Sequence, residues 1–136
     1  MEYTLNDKID LLNLPNARVS ELNSIKIEDA DFNLEKISKR YYKLIDLNDL
    51  AGTTRNIKGL TWIEVLGEFC NKPITIENFI DKENYRIFIE STNPLNDYPE
   101  VLKKEGKYYV AGNGLHRLTI AKCLGLERAL CVVCEE

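Results

Sequence analysis

The chain has 136 residues, 44% of them hydrophobic, which suits one compact domain, residues 1–136, with a core of its own. Its 22 acidic side chains outweigh 18 basic ones, a formal net charge of −4 that disfavours nucleic acid as a partner held by bulk attraction. No apolar run approaches the ~20 residues that span a bilayer, and MEYTLNDKIDLLNLPNARV has no cationic stretch followed by an apolar one. The expectation is a soluble, cytoplasmic chain without a membrane partner.

Taken in chain order, NDKIDLLN reads as a short helix stopped by Pro15, and ARVSELNSIKI as a strand. In NLEKISKRYYKLID, Leu34, Ile37, Tyr41, Leu44 and Ile45 repeat at the spacing of one helical face, with Asn33 as N-cap and Glu35 in the first turn. Lys36, Lys39, Arg40 and Lys43 then share the opposite face, a solvated stripe that would also suit phosphates. LAGTTRNIKG is a polar connection in which Thr53, Thr54 and Arg55 have groups that bind anions.

LTWIEVLGEFC predicts a helix. Thr61 and Glu64 form a T-x-x-E capping box, Leu60 and Val65 are placed as a hydrophobic staple, and Trp62, Val65, Leu66 and Phe69 make the buried stripe. TIENFIDKE reads as another short helix, YRIFIE alternates like a strand, and STNPLNDYP is a loop. The last third reads strand, turn, strand, loop, helix, strand, with pieces PEVLKK, Glu105-Gly106, KYYVAG, NGLHRLTIAKCLG and RALCVV. That alternation of periods two and 3.6 indicates an α+β fold.

Four cysteines stand at positions 70, 123, 131 and 134. Cys131 and Cys134 form a CxxC, but on a strand they point to opposite sides, which suits neither zinc nor a disulfide. They read as buried structural thiols, and no metal site is expected.

The richest stretch is YYVAGNGLHRLTIAKCLGL, where two glycines and an asparagine precede the sole histidine. The spacing predicts a helix from near Gly114, closed by Gly125 as the residue after its C-cap. Its first N–H groups lack intrahelical acceptors, and the aligned peptide dipoles make that end positive. Gly112 and Gly114 carry no Cβ, so an anion can approach the backbone. His116 and Arg117 in the first turn have the wrong sign for the dipole, a preference that a bound anion reverses. Gly112, Asn113, Gly114, His116 and Arg117 are therefore the candidate phosphate-binding residues. The competing reading is a tight turn with a capped histidine. The stretch is not a Walker loop.

YPEVLKKEGKYYVAGNGLHRLTIAKCLGLERALCVV resembles the core of the ParB/sulfiredoxin superfamily over about residues 98–134. ParB-type proteins carry G-E-R-R where this chain has GLHR, and sulfiredoxins carry G-C-H-R. Gly114, His116 and Arg117 match the sulfiredoxin form, and Gly114 and Arg117 the ParB form. Related free-serine kinases also bear a His-Arg pair here. The resemblance implies a small domain with a mixed sheet and packed helices, and ATP or CTP with Mg²⁺ as its cofactor. Leu115 stands in place of the sulfiredoxin cysteine and cannot form its sulfur-based intermediate. Leu115 also replaces the ParB glutamate, Thr119 replaces a helix arginine, and no helix-turn-helix module follows the core.

Three functions follow as expectations. The first is a domain binding a nucleotide or a phosphorylated small molecule, extending to a small phosphotransferase or nucleotidase; Asp97 and Glu100 are its nearest carboxylates in sequence. The second is a ParB-like nucleic-acid-associated protein or nuclease that uses the Lys36–Lys43 stripe. The third is a non-catalytic protein-interaction module.

Overall fold

A computed structural model of the chain describes residues 3–55, 57, 59–70, 81–92 and 97–136. Five α-helices are found among them: α1 Leu5–Leu11, α2 Asn16–Asn23, α3 Trp62–Phe69, α4 Lys82–Glu90 and α5 Leu115–Cys123. Six strands, β1 Glu28–Asp29, β2 Lys39–Asp46, β3 Leu50–Thr53, β4 Glu100–Lys104, β5 Lys107–Val110 and β6 Arg128–Glu135, form one mixed sheet. Its order is β1-β3-β5-β4-β6-β2. The fold is α+β, as the alternation of periods indicates.

The C-terminal third follows its sequence pattern closely. β4 and β5 form a hairpin through Glu105 and Gly106, both at positive φ, and β6 returns parallel to β4. α5 packs on α3 and α4, and its Leu115, Leu118 and Ile120 enter the same core as Val101, Val110, Ala129, Cys131 and Val133. The Thr61–Glu64 capping box is present on α3, and Trp62, Val65 and Leu66 are fully buried. All four cysteines are free and buried. Cys131 lies in the helix-side core and Cys134 on the other face of β6, as strand alternation requires.

Three readings are corrected. ARVSELNSIKI is not a strand: most of it is α2, which buries only Leu22 and so has little periodicity to read. NLEKISKRYYKLID is not a helix: Asn33 caps a single 3₁₀ turn, Leu34–Lys36, and Lys39–Asp46 is β2. β2 is an edge strand whose one buried residue is Ile45, so burial imposes no period of two on it. YRIFIE belongs to α4, where Tyr85 and Ile89, four apart, are buried and Ile87 is 52% exposed. In addition, LAGTTRNIKG opens with β3, and the helix expected at TIENFIDKE falls mostly outside the described residues.

β1 and β2 are the two outermost strands, so the connection from Ala30 to Ser38 crosses the whole sheet, about 24 Å at about 4.8 Å per strand. Phe32 and Ile37 within it are half-buried yet stay out of the helix-side core. The strap therefore runs over the opposite face, where Leu102, Tyr109 and Cys134 form a buried row across three strands.

Candidate functional site

The β5–α5 joint is built mainly by backbone. Ala111 N–H donates to the Glu100 carbonyl at 2.8 Å, and Glu100 N–H donates to the Asn113 carbonyl at 2.9 Å, which brackets the loop against β4. Gly112 is exposed at φ +88, whereas Gly114 is buried at φ +108 and caps α5 without a side-chain bond. A Cβ on Gly114 would stand 2.5 Å from the Pro99 Cβ, so this glycine admits a proline ring rather than an anion. Only Gly112 opens toward solvent. α5 has no acidic residue in its first turn, which leaves its positive end uncompensated from within the helix.

β3 carries the Thr53-Thr54-Arg55 stretch to the same place. The Thr53 and Thr54 hydroxyls both donate to the Val110 carbonyl, at 3.1 and 3.3 Å. Arg55 then donates through Nη2 to the Gly112 carbonyl at 3.3 Å. An exposed guanidinium thus sits on an exposed residue of the loop.

Arg117 is 15% exposed and turns toward residue 97, donating to the Asp97 carbonyl at 2.7 Å and approaching its carboxylate at 3.4 Å. Asn113 Nδ2 donates to that same carboxylate at 2.6 Å. Asp97, one of the two nearest carboxylates in sequence, is thus engaged by both Arg117 and Asn113. The Tyr85 hydroxyl donates to the Arg117 carbonyl at 2.8 Å, and burial raises that phenol's pKa well above its usual value. His116 is half-buried, and its carbonyl accepts a 4.0 Å contact from Cys70 Sγ.

Beside Asn113 lies a cavity of about 490 Å³ lined by Arg40, Tyr42, Tyr98, Glu100 and Val132 among others. Glu100 forms an ion pair with Arg40. The Tyr42 and Tyr98 rings meet edge to face at 5.2 Å, and Tyr42 is 63% exposed. From sequence, Arg40 is singled out only as part of a helical basic stripe, and Tyr42 and Tyr98 are not singled out; the helical reading of residues 33–46 hides the alternation that sets Arg40 and Tyr42 on one face of β2. The supposed basic stripe is dispersed for the same reason: Lys39 and Lys43 lie on the face opposite Arg40, and Lys36 is in the 3₁₀ turn.

The thiols of Cys70, Cys123 and Cys131 are pushed up to about 12 by burial, so none supplies a thiolate near neutral pH. Among the described residues, no three His, Cys, Asp or Glu side chains are grouped to hold a metal ion. No described helix is long and apolar enough to cross a membrane.

Compared with protein-family models, with curated proteins and with solved structures, the chain matches none.

Proposed function

We propose that the chain is a ParB/sulfiredoxin-type domain that binds a nucleotide or a related phosphorylated ligand at the β5–α5 joint. The observation carrying this reading is the Arg55 guanidinium on the Gly112 carbonyl, beside a helix start with neither a side-chain cap nor an acidic first turn. A phosphate there would take the loop and helix N–H groups and the Arg55 fork together. The Tyr42–Tyr98 pair beside Asn113 offers a ring surface to the rest of a nucleotide.

Binding is favoured over turnover. Asp97 and Glu100 are the carboxylates nearest the loop, and each is engaged by an arginine, Arg117 and Arg40 respectively. To hold Mg²⁺ or to take a proton from a nucleophile, one of them would have to leave that partner. Mg²⁺ supplies charge neutralisation to a bound nucleoside triphosphate, and Glu100 is the side chain that would meet it.

The test is thermal unfolding with ATP, ADP, CTP, GTP, UTP and single-stranded DNA, each with and without Mg²⁺, on the wild type, Arg55→Ala and His116→Ala/Arg117→Ala. A ligand present at about 100 times its Kd adds about 2.7 kcal/mol. The expected result is a shift with one nucleotide that Arg55→Ala loses while its own melting temperature stays near wild type. If every nucleotide leaves the cooperative melt unmoved, the joint is a structural turn and the reading fails.

A further inference from the structure

A second cavity, of about 460 Å³, opens at the other end of α5, between α2, the 3₁₀ turn Leu47–Asp49, the start of α3 and the end of α5. Its floor includes Leu22, Leu47 and Trp62, each at most 2% exposed. Eight charged side chains surround that floor, four cationic and four acidic. Two pairs satisfy each other: Arg18 with Glu21 at 3.1 Å, and Lys107 with Glu28 at 3.1 Å. The remaining four are Lys26, Lys122, Asp49 and Glu127, and among the described residues none of them forms an ion pair within 4.0 Å.

Lys122 is the most informative of these. Its ammonium donates to the Leu47 carbonyl at 2.8 Å and stands 5.2 Å from the centre of the Trp62 ring. An ammonium has three donors, and that carbonyl takes one. Burial, and then the nearby Arg18 guanidinium, push the Lys122 pKa down, while Asp46 and Asp49 pull against that shift without forming an ion pair with it. The local surplus is thus a donor-rich cation at the floor and uncommitted charges of both signs above it. A phosphate or other multiply charged anion would meet Asp49 and Glu127 as repulsion. A ligand with one charge of each sign would not.

We infer that this cavity binds a small zwitterion, a free α-amino acid. Its carboxylate meets Lys122, its ammonium meets Asp49 and Glu127, and its side chain lies on the leucine and tryptophan floor. The inference is independent of the phosphate site, which lies at the opposite end of α5.

Trp62 is the chain's only tryptophan, so its fluorescence reports the cavity directly. Each non-fluorescent amino acid is titrated to about 10 mM, alongside its deaminated acid and its decarboxylated amine. The expected result is a saturable change with at least one amino acid, and binding at least about tenfold weaker for both analogues. Asp49→Asn, at an exposed position, weakens the response to the amino acid, Lys122→Met abolishes it, and Arg55→Ala leaves it unchanged. Should Lys122→Met unfold, Asp49→Asn and Lys26→Ala carry the test. The inference is overturned if no amino acid gives a saturable change, if either analogue binds as tightly as its parent, or if Asp49→Asn binds like wild type.

Discussion

Replacing Gly114 by alanine should destabilise the protein by about 2–5 kcal/mol, and the structure separates that figure into two parts. The backbone at φ +108 disfavours any residue with a Cβ, by about 1–2 kcal/mol. The new methyl would also stand 2.5 Å from Pro99 Cβ and 2.7 Å from Pro99 Cα. A proline ring has no rotamer into which to retreat, and the Pro99 carbonyl is held by Val132 N–H at 2.8 Å. Overpacking of that kind costs about 1–3 kcal/mol. Gly112→Ala supplies the control, because its φ of +88 carries the backbone penalty while the nearest atom to its Cβ is Glu100 Oε1 at 3.9 Å. Urea unfolding of wild type and both variants, with linear extrapolation, measures each term. Gly114→Ala should lose about 1–3 kcal/mol more than Gly112→Ala. Equal losses would refute the claim that Pro99 occupies the space Gly114 leaves open.

Other perturbations give separate checks. Thr61→Ala removes the hydroxyl that accepts from Glu64 N–H at 3.2 Å and donates to Asn23 at 3.0 Å, and should lower stability by about 1–2 kcal/mol in the same urea assay. Tyr85→Phe keeps the buried ring but withdraws the donor to the Arg117 carbonyl, for a loss of about 1–2 kcal/mol by thermal or chemical melt. All four cysteines are buried and burial raises their thiol pKa values, so a thiol reagent at pH 8 should label none in the native state and all four in denaturant. Rapid labelling of the folded protein would contradict the packing of β6 and α5 described above.

What could be read from sequence depended on how burial imprints a segment. α3 declared itself because the Thr61 cap and the buried stripe agree. The β4–β5–α5–β6 run declared itself because its turns need glycine and its apolar residues face one core. β2 misled because its single buried residue leaves an accidental helical spacing unopposed. α4 misled because Tyr85, Ile87 and Ile89 alternate along the chain although only the first and last are buried, a pattern both periods accommodate. Its Asp81 N-cap and the Glu83–Arg86–Glu90 charge ladder were the contrary signals. At the joint, the loop and helix start were legible, but the partners were not. Asp97 and Arg55 lie 20 and 62 residues before Arg117, and only the sheet order brings them to it or to its loop.

That sheet order also bears on how the chain folds during synthesis. β2 finds its neighbour in β6, and β3 finds one of its two in β5, so both wait on residues 107–135. The first half of the chain emerges with its outer strands made and the sheet's centre still missing. At about 5–20 residues per second, the strands of this half spend several seconds without those neighbours. Nascent chains stalled before β6 should therefore be protease-sensitive along their whole length.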